Sequence, residues 1–306
     1  MIRLPFLFFA QTKSTLSALA WIKVIVLMVA PLALYADERP RLISTDAGVT
    51  ELIFSLGLEN ELIAIDVTSQ LPQGFPALPS IGYHRTLSAE GLMSLNPSVV
   101  IGSEHIGPAS VVTALKQAEV KFVQLRSAKS SDQLRDNVLS LAEALDQKER
   151  GQRLLSSVDQ KLAELDKNNL AGERIAFLLS MDGSKLRLAG AGTGGQSFIE
   201  LVKATNVADF KNYRNISAES LFEMRPSVII VAGSDVDSAV QSLLDENPVL
   251  THTPAVKQKR IIAVNGSTLV AGLSVSAIDE AIRLTQVLSD LQTRSNPQTL
   301  AVQEKN

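Results

Sequence analysis

An internal repeat limits what this 306-residue chain can fold into more than any other feature. Residues 87–92 (Leu-Ser-Ala-Glu-Gly-Leu) precede Pro-Ser-Val-Val-Ile at 97–101, and residues 216–221 (Ile-Ser-Ala-Glu-Ser-Leu) precede Pro-Ser-Val-Ile-Ile at 226–230. Each Ser-Ala-Glu predicts a helix start, because serine caps a helix and glutamate suits the positive end of its dipole. One helix–strand unit that occurs twice predicts two similar lobes.

Apolar strands alternate with helices in both halves of the chain. Apolar runs predict strands in the first half at 41–44, 62–65, 99–101 and 121–125. They predict strands in the second half at 174–180, 185–189, 228–231 and 260–264. This alternation is typical of βαβ units and of mainly parallel sheets. We therefore predict an α/β fold with two similar lobes and a ligand cleft between them.

A long stretch of helix periodicity separates the two halves. Leucine and valine recur at helical spacing from 148 to about 168, which predicts one helix about 30 Å long. We expect this helix to join the lobes as a rigid strut. The predicted organisation is a signal peptide at 1–36, an N-terminal lobe at 37–146, a connecting helix at 147–170, a C-terminal lobe at 171–292 and a polar, frayed tail at 293–306.

The first 36 residues have the composition of a secretory signal peptide. They carry Arg3, Lys13 and Lys23 but no acid, and an apolar run at 24–36 precedes the polar Asp-Glu-Arg-Pro. We expect cleavage after Ala36. An uncleaved membrane anchor is the alternative, although the run is shorter than the roughly 20 apolar residues that span a bilayer.

Charge and cysteine content exclude several classes of function. Loss of the three leader cations shifts the formal net charge from −3 to −6, and an acidic chain without Lys/Arg clusters argues against a nucleic-acid partner. The chain has no cysteine, which excludes disulfides, thiolate metal sites, cysteine nucleophiles and an acyl-anchored lipoprotein. We expect a monomeric periplasmic protein, secreted through the inner membrane by a cleaved signal peptide.

Tyrosine is scarce, and its two copies after the leader occupy related positions in the repeat. Tyr83 lies seven residues before Glu90, and Tyr213 lies six before Glu219. An arginine follows each tyrosine closely, Arg85 in the first copy and Arg214 in the second. We expect both tyrosines to approach one ligand in the cleft from opposite lobes.

Residues 82–90, Gly-Tyr-His-Arg-Thr-Leu-Ser-Ala-Glu, are similar to the Gly-Tyr-x-Arg-x-Leu-Ser-x-Glu segment of the periplasmic haem-binding proteins of ABC importers. The chain resembles this helical-backbone class, which includes cobalamin and siderophore binders, over essentially its whole length after the leader. The resemblance implies that Tyr83 is the axial ligand of haem iron and that the transported ligand is haem b. A phenolate is a hard oxygen donor and suits hard ferric iron.

Four further residues are candidates for contact with haem. In an extended chain, residues i and i+2 share a face, so we expect Arg85 to lie beside Tyr83 and to favour its phenolate, while His84 points away as a solvated loop residue. His105 follows a strand end, where ligands collect in open α/β sheets. Met181 stands where some family members place a histidine ligand, and we expect it to pack against the porphyrin. Tyr213 completes the set.

Three residues remain alternatives for a second ligand of the iron. A second axial ligand from His84, Met181 or Tyr213 stays open, and five-coordinate iron held by Tyr83 alone is the preferred interpretation. We interpret His252, in a surface stretch flanked by proline, as structural.

The resemblance also implies a partner. In the importer class, one surface glutamate on each lobe docks onto arginines of the permease dimer in the inner membrane, and Glu90 and Glu219 match those positions. Cobalamin or a ferric siderophore is the alternative ligand. A scarcity of tryptophan argues against the siderophore, because the single tryptophan lies in the leader.

An enzyme is the remote alternative. Residues 190–195, Gly-Ala-Gly-Thr-Gly-Gly, match G-x-G-x-x-G after a predicted strand, and Asp209 follows nineteen residues after the first glycine. This pattern alone indicates dinucleotide binding. The repeat offers a simpler interpretation, in which the glycines open a helix as Gly48 does in the first lobe. The sequence has neither H-E-x-x-H nor G-x-S-x-G.

Overall fold

The computed structural model describes residues 39–179, 186–233, 235–270 and 272–295. Its first lobe is built on a parallel sheet in the order β2-β1-β3-β4. The strands are β1 (Leu42–Ser44), β2 (Leu62–Ile65), β3 (Val99–Ser103) and β4 (Lys121–Leu125). The helices between and after them are α1 (Ala47–Ser55), α2 (Ala89–Ser94), α3 (Ala109–Gln117) and α4 (Ser131–Ala144). Strands buried on both faces explain the continuous apolar runs in the sequence.

The second lobe is built on a mixed sheet in the order β10-β9-β5-β6-β8, with β7 paired to β5. Here β10, β9, β5 and β7 are parallel, whereas β6 is antiparallel to both β5 and β8. The strands are β5 (Arg174–Leu179), β6 (Leu186–Ala189), β7 (Thr205–Asn206), β8 (Tyr213–Ile216), β9 (Val228–Gly233) and β10 (Ile261–Asn265). The helices are α6 (Gly194–Leu201), α7 (Ala218–Glu223), α8 (Val236–Glu246) and α9 (Pro254–Lys257).

Two long helices run past both lobes. The connecting helix α5 (Lys148–Lys167) has 20 residues, about 30 Å, and buries Leu154 in the first core and Leu165 in the second. The closing helix α10 (Val275–Ser295) also contributes to both cores, through Ile278 in the first and Leu284 in the second. The predicted connecting helix is therefore accompanied by a second helix, α10, that also packs in both cores.

The two copies of the repeat form equivalent helix starts. Ser88 caps α2 and accepts a hydrogen bond from the Gly91 amide, and Ser217 caps α7 and accepts one from the Ser220 amide. The strand that follows each helix, β3 or β9, is parallel to its neighbours in the sheet. The α/β fold with two similar lobes is thus confirmed.

Several boundaries differ from the predictions. The connecting helix α5 runs from Lys148 to Lys167 rather than over the predicted 147–170, and Asp146, just before it, has a positive φ of 56°. The closing helix reaches Ser295, so residues 293–295 are helical rather than part of a frayed tail. Strands β7 and β8 were missed, because their short, polar sequences lack an apolar pattern. The predicted signal peptide and Met181 lie outside the described residues.

Candidate functional site

A cavity of about 380 Å³ lies between the two lobes. The first lobe lines it after the carboxyl ends of two parallel strands, with Glu104 and His105 beyond β3 and residues 127–129 beyond β4. This is where open α/β sheets collect ligands. The remaining lining comes from Arg85 and from second-lobe residues Arg187, Gly192, Thr193, Gly194, Ser197, Asn212, Tyr213, Leu269, Val270 and Gly272.

The cavity wall is rich in positive charge. Arg85 and Lys129 line it from the first lobe and Arg187 from the second, and Glu104 is the one carboxylate among the lining residues that the structure describes. Burial, reinforced by the positive charge of Arg85, lowers the pKa of His105 below its usual value, so its imidazole is neutral at pH 7. The cavity is therefore suited to a ligand that carries carboxylates.

Close packing explains the glycine-rich segment at 190–195. A Cβ on Gly190 would lie 2.2 Å from the carbonyl oxygen of Phe210, and one on Gly195 would lie 2.6 Å from the Phe177 ring. Thr193 caps α6, accepting a hydrogen bond from the Gln196 amide. The geometry thus supports the interpretation of these glycines as packing residues that open a helix.

Tyr213 lines the cavity but is already engaged by its own lobe. It lies half-buried on β8, and its hydroxyl oxygen accepts a hydrogen bond from the Gly195 amide at 3.4 Å. Burial raises the pKa of the Tyr213 phenol, so the neutral form is favoured. Arg187 sits over the ring at 5.6 Å, whereas Arg214 stacks on Phe210 at 4.8 Å. The cation beside this tyrosine is therefore Arg187, not the arginine that follows it in sequence.

Tyr83 lies on a turn two residues before the cavity-lining Arg85 and is not itself among the lining residues. Gly82 adopts a φ of +85°, a conformation that favours glycine, and the Thr86 amide donates to the Tyr83 carbonyl at 2.9 Å. The Tyr83 side chain is 43% exposed. Arg85, two residues along the same turn, does line the cavity.

The expectation for His84 was wrong. The turn breaks the alternation of an extended chain, so the His84 ring lies against the Tyr83 ring, with centroids 4.3 Å apart, instead of pointing away. His84 is also buried, at 4% exposure, rather than solvated. Its Nδ1 lies 3.1 Å from Oδ2 of the buried Asp66.

Glu90 and Glu219 are exposed in the first turns of α2 and α7. The pKa of the Glu219 carboxyl is lowered by hydrogen bonds with its own amide and with the Ser217 hydroxyl, so it is ionised at neutral pH. Three residues after each glutamate stands an exposed apolar side chain, Met93 at 37% and Phe222 at 40% exposure. The two copies therefore present the same pair of surface features.

The sequence interpretation missed three residues of the site. Arg187 lies between two buried leucines of β6, so period-2 alternation would have placed it on the opposite face from them. Lys129 follows the end of β4, where the strand-end rule that identified His105 also applies. Asp66 follows β2 in the same way.

Comparison with known proteins gives the family. The periplasmic binding protein family model matches residues 42–267. The solved periplasmic haem-binding protein HutB of Vibrio cholerae is 32% identical, with a TM-score of 0.75 over 82% of this chain and 99% of that chain. A periplasmic haem-binding protein from Pseudomonas aeruginosa is 30% identical, with a TM-score of 0.71 over 81% and 92% of the two chains.

A curated relative has a different ligand in its name. The vitamin B12-binding protein of Vibrio cholerae serotype O1 is 23% identical over 194 residues, which are 63% of this chain and 70% of that protein. Within the described residues, no helix has the length and apolar character needed to cross a membrane. The family match extends from β1 of the first lobe into the second lobe beyond β10, so this chain belongs to the periplasmic binding protein family.

Proposed function

We propose that this protein binds haem in the periplasm and delivers it to the permease of an ABC importer for haem and iron uptake. The observation that carries the proposal is the charge of the cavity between the lobes, whose described lining has three cations, Arg85, Lys129 and Arg187, and one carboxylate, Glu104. Haem b carries two propionates that such a wall can bind. The similarity to haem-binding proteins at 30–32% identity supports the same ligand.

Cobalamin is the second candidate, because a curated relative at 23% identity binds vitamin B12. The corrin ring of cobalamin carries neutral amides where haem carries propionates. A cavity built for cobalamin therefore has no need for three cations on its wall. The excess of cationic side chains favours haem.

Tyr83 is the ligand that we propose for the iron. Its side chain is exposed, whereas the Tyr213 hydroxyl is bonded to its own lobe and held neutral by burial. A phenolate suits ferric iron, and Arg85, two residues along the same turn, lines the cavity that would hold the propionates. We propose five-coordinate iron with Tyr83 as its protein ligand. His105 and Tyr213 then contact the macrocycle or its substituents from the cavity wall.

A haemin titration of purified protein tests this proposal. We expect the wild type to bind haemin with the absorption spectrum of a tyrosinate-ligated ferric haem and to bind cyanocobalamin at least about tenfold more weakly. Tyr83→Phe should lose that spectrum and at least about tenfold in affinity, because it removes the only oxygen donor of the side chain. The matched Tyr213→Phe variant should keep the spectrum. Tighter binding of cyanocobalamin, or an unchanged Tyr83→Phe spectrum, would contradict the proposal.

We also propose that Glu90 and Glu219 dock the protein onto cationic residues of a two-fold symmetric permease. Both carboxylates are exposed, and each has an exposed apolar neighbour one helical turn on, Met93 or Phe222, that would add contact area. A permease with two equivalent halves fits two equivalent surface features on two similar lobes.

Charge reversal tests the docking surface. Glu90→Lys with Glu219→Lys should abolish haemin uptake into vesicles that contain the importer, without loss of haemin affinity. Glu143→Lys with Glu149→Lys reverses two exposed carboxylates elsewhere and makes the same change in net charge, so it is the matched control. Equal uptake by both double variants would show that Glu90 and Glu219 have another role.

A further inference from the structure

Backbone hydrogen bonds fix the main chain on both sides of Tyr83. The Val67 amide donates to the Gly82 carbonyl at 3.1 Å, before the tyrosine. After it, the Gly107 amide donates to the His84 carbonyl at 2.8 Å, and the Leu87 amide donates to the Gly107 carbonyl at 2.9 Å. These bonds define the turn, but they leave the rotation of the Tyr83 side chain free. Among the described residues, the phenol itself makes no hydrogen bond.

Asp66 provides a fixed hydrogen-bond acceptor for this turn. Its side chain is 0% exposed, and it directly follows β2. Its carboxylate accepts hydrogen bonds from the Thr68 hydroxyl at 2.8 Å, the Ser69 amide at 3.1 Å and the Ser69 hydroxyl at 2.8 Å. A buried carboxylate with this many donors has its position and rotamer determined by the surrounding chain.

His84 connects that carboxylate to Tyr83. Its Nδ1 lies 3.1 Å from Asp66 Oδ2, and an ionised carboxylate can only accept, so Nδ1–H is the donor. The bond fixes the plane of the imidazole. The Tyr83 ring lies against that plane, with 4.3 Å between centroids and 49° between ring planes. This ring contact constrains the orientation of a side chain that is otherwise 43% exposed.

We propose that the Asp66–His84 pair is a positioning pair, which holds the Tyr83 phenol toward the cleft before the ligand arrives. The inference rests on the proposed role of Tyr83 as the iron ligand. A side chain that is ordered before binding loses less rotamer freedom on binding, so the pair raises affinity without touching haem. His84 acts through Tyr83 and is not itself the ligand, since its ring is buried and its Nδ1 is engaged by Asp66.

The first test needs no haem. In protein labelled with 3-fluorotyrosine, each ¹⁹F signal is assigned by the corresponding Tyr→Phe variant. His84→Ala should shift and narrow the Tyr83 signal toward that of a freely rotating side chain and leave the Tyr213 signal in place. His252→Ala, which removes an exposed histidine from the second lobe, should change neither signal. An unchanged Tyr83 signal in His84→Ala would overturn the proposal, whatever the ligand of this protein is.

The second test is a double-mutant cycle with haemin as the probe. His84→Ala should weaken haemin binding about 3- to 10-fold. The same substitution should have no further effect in a Tyr83→Phe background, because the pair acts only through Tyr83. Equal losses in both backgrounds would overturn the proposal, as would a histidine-ligated spectrum that Tyr83→Phe leaves intact. Failure of the wild type to bind haemin would instead refute the proposed function, and the ¹⁹F result would still decide the positioning role.

A second variant separates orientation from packing. His84→Phe fills the same buried space with a ring but removes the bond to Asp66, and its thermal unfolding identifies any loss of fold. We expect a folded protein with a displaced Tyr83 signal and weaker haemin binding than the wild type. Wild-type behaviour of His84→Phe in both assays would show that the bond to Asp66 has no positioning role.

Discussion

At the residue scale, the two tyrosines show how environment separates side chains of identical chemistry. Tyr213 lines the cavity, but burial raises its pKa and the Gly195 amide already occupies its oxygen. Tyr83 is exposed and its oxygen has no hydrogen-bond partner in the part of the chain that the structure describes, while its ring lies against His84. The repeat made them equivalent in sequence, yet only Tyr83 combines an accessible oxygen with an ordered ring. Proximity to the cavity alone therefore does not decide which tyrosine we propose as the iron ligand.

The positive charge of Arg85 is expected to lower the pKa of His105, which lines the same cavity. Burial is the larger cause that lowers the pKa of His105, and the charge of Arg85 is the next. Arg85→Gln removes that repulsion between cations and should therefore raise the pKa of His105, without restoring its usual value, because burial remains. An NMR titration of the histidine ring carbons measures this shift. No change, or a lower pKa, would mean that Arg85 does not face His105 in solution.

At the element scale, the helices and strands that could be predicted from the sequence are those whose residue pattern is local. The apolar runs of β3 and β9 and the Ser-Ala-Glu helix starts needed no tertiary information. The turn at Tyr83 did need it, because Gly82 has a positive φ and the Gly107 amide, over twenty residues away, holds the His84 carbonyl. Strand β8 was missed for a similar reason, since its polar Tyr-Arg-Asn-Ile becomes a strand through antiparallel pairing with β6. The charged residues Glu104 and Lys129 of the cavity follow the ends of β3 and β4, and these strand ends come together only in the folded protein.

An ion pair between the starts of two strands of the second lobe should make stability depend on pH. Glu173 precedes β5 and Arg260 precedes β10, and their side chains are 19% and 11% exposed with Oε1 and Nη2 2.6 Å apart. Burial opposes ionisation of Glu173, but hydrogen bonds from Arg260 and Ser227 outweigh it and hold its pKa below the usual value. The ionised form is therefore favoured in the folded state. Its contribution to stability is present above the unfolded pKa and is lost as pH falls through the folded one.

We expect Glu173→Gln to reduce the free energy of unfolding by about 1–3 kcal/mol at pH 7, between the values for exposed and buried pairs. The difference from wild type should shrink as the pH falls below about 4.5, where the wild-type carboxyl also loses its charge. Urea unfolding at several pH values measures both effects. Asp166→Asn breaks the exposed pair with Lys203 and is the control, with an expected loss below about 1 kcal/mol. A loss for Glu173→Gln that is the same at pH 3 and pH 7 would contradict the ion-pair argument.

At the scale of the whole molecule, two helices tie the lobes into one folding unit. The connecting helix α5 and the closing helix α10 each bury side chains in both cores, and Lys161 of α5 pairs with Asp279 of α10 at 2.7 Å. The first lobe also caps the closing helix. Glu51 of α1 accepts hydrogen bonds from the Ser276 amide at 2.6 Å and the Ser276 hydroxyl at 2.5 Å. Neither lobe can unfold without exposing apolar residues of a helix that the other lobe needs.

The lobes should therefore unfold together, and loss of the cap should destabilise both. Fluorotyrosine at 83 reports on the first lobe and at 213 on the second, and we expect the two folded ¹⁹F signals to disappear at one urea concentration. Glu51→Ala removes a carboxylate that satisfies the start of the closing helix, and it should cost about 1–2 kcal/mol. Because α10 belongs to both cores, this loss should lower both midpoints by the same amount. If Glu51→Ala lowered the midpoint at Tyr83 alone, the closing helix would not couple the lobes, and each would have to be treated as a separate folding unit.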